Sequence, residues 1–288
     1  MLKVILLGTG NPTPRPHRYG SSYLVLVDDD VLMFDCGPGA THRLVATQVP
    51  ITKVNFLFFT HHHFDHNADY AHFALARWDQ GAGRTRALQV YGPKGTEELT
   101  EKLFGEGGAF LPDIKARLNN PMANARWVAR GGTLPRTPPD MGTRDIQAGV
   151  IASGRNWQVT ASLAMHVQPH LDCLAYRVDT DDGSVSLSGD TSPCKSVIDL
   201  ARNADLHIHM CHEPDDFLEK AGGTYGFSGP KGAAQVAKEA GVKRLVLTHF
   251  GVPFDDPETL KKALEDAREI FKGEVIAGED LMEITVKD

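Results

Sequence analysis

The apolar run Val54-Asn55-Phe56-Leu57-Phe58-Phe59 stops at Thr60-His61-His62-His63-Phe64-Asp65-His66, which packs four histidines and a carboxylate into six residues. A short apolar run bounded by polar residues reads as a buried strand. The chain must therefore adopt a fold in which a strand end carries a loop crowded with imidazoles. Such an end fixes each side chain while the loop leaves it open to solvent and substrate. Residues i and i+2 of extended backbone share a face, so His61 and His63 can bind one metal ion while His62 points away. Asp65 and His66 lie beyond the turn, within reach of a second ion. Imidazole nitrogen and carboxylate oxygen suit Zn²⁺ and its first-row neighbours.

Four ligands from one loop underfill two metals, so other strand ends are expected to supply more. His166 ends the strand Val159–Met165, Asp190 ends Val185–Gly189, and His249 ends Leu245–Thr248. His170, beyond Pro169, is the rival to His166 and otherwise faces the substrate. His207 and His209 read as strand residues with ordinary hydrogen bonds, whereas His212 alone reaches the cleft. Asp35, after Val31–Phe34, either hydrogen-bonds a ligand histidine or caps the turn before Ala40.

Apolar runs at Val4–Leu7, Tyr23–Val27, Val31–Phe34 and Leu88–Tyr91 alternate with helical stretches at Ala40–Thr47, Asp69–Asp79 and Lys94–Phe104. A similar order resumes after residue 155. Two such halves stack two sheets with helices outside. Residues 105–155 are rich in Gly and Pro at Gly105–Gly108 and Gly131–Pro139 and read as an insertion. Phe110, Leu111, Trp127 and Trp157 either wall the cleft or form a small core of their own.

The chain has 288 residues, 41% of them apolar, enough for a large core. Its net charge of -7 provides no global basic field, so nucleic acid is not the expected partner. The one candidate basic stretch, Arg117 to Arg155, reads as solvated surface. The four cysteines lie far apart without a Cys-x-x-Cys pair, as in a reduced cytosolic protein. The N-terminal run is too short for a signal peptide, and nothing reaches the ~18 apolar residues of a membrane helix. The cytoplasm is the expected location.

His61-x-His63-x-Asp65-His66, His166, Gly189-Asp190-Thr191 and Thr248-His249-Phe250 together resemble the signature of the metallo-β-lactamase superfamily. Leu7-Gly8-Thr9-Gly10-Asn11-Pro12 and Phe34-Asp35-Cys36-Gly37 are similar to the branch that holds ribonuclease Z and the zinc-dependent arylsulfatases. The resemblance implies an α/β fold: a four-layer αββα sandwich of mixed sheets with helices on both outer faces. It implies a single domain over 1–288 with the insertion at about 105–155.

It also implies a site with two divalent ions, Zn²⁺ first and Mn²⁺ or Fe as alternatives. His61, His63 and His166 would hold one metal, and Asp65, His66 and His249 the other, with Asp190 bridging. Asp65, Asp190 and His249 would then carry the catalysis, with Asp65 also taking up a proton. Two neighbouring cations lower the pKa of a shared water from ~15.7 to near 7.

The expected activity is hydrolysis of a small ester: phosphodiester, sulfate ester, lactone or carboxylic ester. His170, His212 and Phe227 are expected on the substrate side. Phe227 stands where ribonuclease Z carries a histidine, and that enzyme's long basic arm is not visible. Processing of tRNA 3′ ends is therefore the alternative, beside an iron-dependent oxidoreductase and a non-catalytic binding scaffold. Family members are often homodimers.

Overall fold

The computed structural model describes residues 1–222 and 225–287. Its first sheet contains β1 (Leu2–Gly8), β2 (Ser22–Val27), β3 (Asp30–Phe34), β4 (Val54–Phe58), β5 (Leu88–Gly92) and β6 (Met141–Asp145). Its second contains β7 (Gly149–Ser153), β8 (Trp157–Leu163), β9 (Leu174–Thr180), β10 (Gly183–Leu187), β11 (Leu206–Met210), β12 (Arg244–Thr248) and β13 (Glu274–Ala277). The last strand, β14 (Glu283–Thr285), returns to the first sheet beside β1, giving the orders 14-1-2-3-4-5-6 and 13-12-11-10-9-8-7. In each sheet three antiparallel pairings are followed by three parallel ones. The two halves thus repeat one plan, and the parallel strands all need helical crossovers.

Against the first sheet lie α1 (Ala40–Ala46), the short α2 (Phe64–Asn67), α3 (Tyr70–Gly81), α4 (Thr96–Phe104), α5 (Leu111–Asn119) and α6 (Pro121–Ala129). The second carries α7 (Lys195–Ala201), α8 (Asp215–Lys220), α9 (Pro230–Ala240) and α10 (Pro257–Ile270). Period two decides the layering, because both sheet faces are covered. On β1, Leu2, Val4 and Leu6 enter the core between the sheets, whereas Ile5 and Leu7 pack under the helices. The same logic puts Ile208 of β11 between the sheets, and Leu245 and Leu247 of β12 under α9 and α10. This is the αββα sandwich.

Residues 105–155 hold more regular structure than their Gly and Pro content suggests. Besides α5 and α6 they contain β6 and β7, each an edge strand of its sheet. These strands, Met-Gly-Thr-Arg-Asp and Gly-Val-Ile-Ala-Ser, are half-buried or exposed along their length. Their sequences therefore lack a clear alternating pattern. The aromatics do not wall a cleft. Trp127 and Phe110 join the helical layer over the first sheet, and Trp157 sits between the sheets with its ring 4.9 Å from that of Phe56. Arg117, Arg130 and Arg136 converge on Asp79 at 3.3, 2.5 and 2.8 Å. Arg136 also stacks between Trp78 and Trp127. Arg136 is buried, whereas the side chains of Arg117 and Arg130 stay 42% and 38% exposed, so most of the basic stretch is solvated surface as expected. Among the described residues no helix is long and apolar enough to cross a membrane.

Candidate metal centre

The loops after β4, β8, β10 and β12 meet at one edge of the sandwich and bring seven ligand-type side chains together. They form three overlapping groups: His61, His63 and His166; His61, His66 and Asp190; Asp65, His66 and His249. Within each group the candidate ligand atoms lie within 4.8 Å of one another. His63 ends the β4 loop in extended backbone and begins α2, so Asp65 and His66 project from a helical turn rather than a strand. His249 has φ 58° and Gly189, before Asp190, φ 57°. Left-handed backbone at a non-glycine residue is strained and persists only where the surroundings hold it. The N–H of Phe250 donates to the Thr9 carbonyl at 2.9 Å and supplies that hold.

In the first group, His61 Nε2 and His166 Nε2 lie 3.0 and 3.3 Å from His63 Nδ1. In the third, His249 Nε2 is 3.2 Å from Asp65 Oδ2 and 3.4 Å from His66 Nε2. Asp190 spans the groups. Its Oδ1 is 3.5 Å from His66 Nε2, and its Oδ2 is 3.3, 3.7 and 4.0 Å from the Nε2 atoms of His249, His166 and His61.

A second hydrogen bond sets the tautomer of three of these rings. His66 Nδ1–H donates to Asp35 Oδ2 at 2.7 Å, and His61 Nδ1–H to Thr60 Oγ1 at 3.0 Å. His166 Nδ1–H donates to the Gly226 carbonyl at 2.6 Å. Each bond turns Nε2 toward the centre, where the neutral ring offers it as a lone pair. Nitrogen lone pairs this close in a buried site repel, and a cation among them removes the conflict. Asp65 Oδ1 is also buried without a hydrogen-bond partner. The donor set therefore fits divalent metal.

The electrostatics agree. Burial, helped by the neighbouring His66, pushes His61 well below its ordinary pKa. Burial opposes ionisation of Asp190, but the facing His249, His66 and His61 override it and hold the carboxyl well below the usual range. Burial also opposes charge on His66, yet Asp190, Asp35 and Asp65 raise it well above its ordinary pKa. These carboxylates give the centre a cation-seeking field.

Asp35 hydrogen-bonds a ligand-type histidine and does not cap α1. It accepts from His66, from Thr60 N–H at 2.7 Å and from Thr60 Oγ1–H at 2.9 Å. Asp69 accepts from Thr41 N–H at the start of α1. His62 turns away to Thr96 Oγ1 at 2.9 Å. His207 and His209 are fully buried, bonded to Ser186 Oγ and to the Met210 carbonyl. His212 lies beside the centre, its Nδ1 3.4 Å from His249 Nδ1. Burial, with His249 nearby, pushes it down to about 4. The Phe227 ring lies 5.1 Å from His166 and 4.9 Å from His212. His170 is exposed and outside the three groups. Sequence reasoning missed Thr60 and the Gly226 carbonyl. Thr60 could have been found from its place before His61, but a backbone acceptor leaves no sequence signal.

A sandwich of this topology with such a donor cluster defines the metallo-β-lactamase class. The family model described as Beta-lactamase superfamily domain matches residues 31–250, and the chain belongs to that superfamily. It is a metal-dependent hydrolase. A curated relative, Ribonuclease Z of Mycobacterium bovis (strain BCG / Pasteur 1173P2), is 31% identical over 99% of both chains. Among solved structures, the metallo-β-lactamase fold protein YhfI from Bacillus subtilis matches with a TM-score of 0.72 at 24% identity, covering 98% of each chain. Human tRNase Z, short form, matches with a TM-score of 0.68 at 22% identity, covering 99% of this chain and 100% of its own.

These relatives correct one expectation. The acidic net charge argued against nucleic acid and for a small ester substrate, yet a full-length relative is named as a ribonuclease. Net charge sums the whole surface, whereas recognition depends on the local field around the site.

Proposed function

We propose that this hydrolase is a ribonuclease of the ribonuclease Z kind, cleaving an RNA phosphodiester with two divalent ions, zinc first. The observation that carries the reading is the full-length match to Ribonuclease Z, and the two ligand groups joined through Asp190 support it. His61, His63 and His166 would hold one ion and Asp65, His66 and His249 the other, with Asp190 between them. When bound, such a pair supplies a nucleophile at neutral pH and stabilises charge on the phosphoryl oxygens.

The remaining work falls to the protein. Asp65 Oδ1 has no other partner and takes up a proton from the attacking water. Asp35, Thr60 and the Gly226 carbonyl keep the ligand rings oriented. His212 and Phe227 form one flank of the substrate path. Phe227 in place of a histidine leaves the second ring of that flank without a proton to give.

The test is cleavage of a tRNA precursor carrying a 3′ extension. The zinc-loaded enzyme is expected to release the extension, a chelator to abolish the reaction, and zinc or manganese to restore it. Full activity after exhaustive chelation, or an intact precursor with active metal-loaded enzyme, would refute the proposal.

A further inference from the structure

Phe64, between ligand-type residues His63 and Asp65, is 60% exposed. Its exposure alone would be unremarkable, but it borders a cavity of about 240 Å³ that Asp65 also lines. We propose that this cavity is a base-binding subsite, in which an unpaired nucleobase of the RNA stacks on Phe64 next to the phosphate to be cleaved. The inference rests on the ribonuclease reading above.

Shape and rigidity favour this occupant. The walls are Pro12, Pro14, Tyr19 and Pro38, with Arg15 and Arg18 on the same lining. Tyr19 is clamped. A Cβ on Gly39 would lie 2.2 Å from its Cδ1, and the Arg43 guanidinium covers the ring at 4.9 Å. The loop is tied down by Asp280, which accepts from Thr9 N–H and Tyr19 N–H at 2.9 Å each. Packing fixes the backbone under Phe64 as well, since a Cβ on Gly37 would lie 2.1 Å from the Asp65 carbonyl. The slot is thus preformed. Its volume is below the 300–1,000 Å³ typical of drug-sized ligands, which suits one flat heterocycle. Arg18, buried over the Phe250 ring and bonded to the Gly278 carbonyl, and Arg15, held by Asp255 and the Gly251 carbonyl, stiffen the same wall. Unpaired bases are recognised by stacking of this kind.

The test uses zinc-loaded wild type, Phe64→Ala and Phe64→Trp. A single-stranded RNA trinucleotide containing 2-aminopurine reports stacking by fluorescence quenching, independently of cleavage. Wild type and Phe64→Trp are expected to quench it, and Phe64→Ala to bind it roughly 5- to 150-fold more weakly. In cleavage, removing the base beside the scissile phosphate should cost the wild type a similar factor in KM and cost Phe64→Ala almost nothing. Equal penalties in both enzymes, or quenching unchanged in Phe64→Ala, would overturn the subsite. Quenching that depends on Phe64 without cleavage of any RNA by the wild type would support the subsite and sink the ribonuclease reading instead.

Discussion

Asp35→Asn separates metal affinity from folding. The carboxylate accepts three hydrogen bonds inside 3 Å, two from Thr60 and one from His66 Nδ1–H. An asparagine of the same shape can still accept from Thr60 N–H through Oδ1. Its amide then points N–H groups at His66, where one donor now meets another. The imidazole relieves the clash by moving its proton to Nε2, the atom that faces Asp65 and Asp190 at 3.5 Å each. A protonated Nε2 cannot bind metal. Loss of such a supporting carboxylate lowers metal affinity ~10- to 100-fold, equivalent to about 1.4–2.8 kcal/mol. Asp35→Ala should also destabilise the metal-free protein, because Thr60 N–H is left buried without a partner at a cost of about 1–3 kcal/mol. Competition with a zinc-sensitive chelating dye measures the affinity, and thermal melting of the metal-free proteins measures the fold. Zinc affinity in Asp35→Asn within twofold of wild type would refute the argument that Asp35 sets the His66 tautomer.

His62→Ala, despite lying between two ligand-type histidines, should leave turnover within about twofold of wild type, since its ring bonds Thr96 rather than the centre; steady-state kinetics decides this. Asp79→Ala should lower the melting temperature by several degrees, because Arg136 stays buried between Trp78 and Trp127 without its carboxylate. A cost of about 1–3 kcal/mol is expected for that unpaired donor, read by calorimetry, with metal affinity unchanged.

The centre was legible in the sequence because its residues follow apolar runs. A run that must be buried fixes where a strand ends, and His61, Asp190 and His249 each follow such an end. Asp65 and His66 were read as lying past a turn, and they stand on one short helical turn. Position alone left Asp35 between two roles, because capping and histidine support both suit an aspartate after a strand. Only the direction of its side chain decides. The edge strands β6 and β7 were illegible for a different reason. Half-buried or exposed along their length, they needed no apolar alternation, so Gly, Thr and Arg stand in β6 where a central strand would have Val or Ile. The expectation against nucleic acid rested on a summed charge, which carries no spatial information.

His61 through His66 come from the first sheet, whereas His166, Asp190 and His249 come from the second, with His249 near the C-terminal end of the chain. No amino-terminal fragment that stops short of His249 can assemble the whole donor set. During synthesis the donor set therefore stays incomplete until the second half has emerged and docked on the first. A truncated or stalled product would expose half-built clusters of imidazole to whatever cations the surroundings hold.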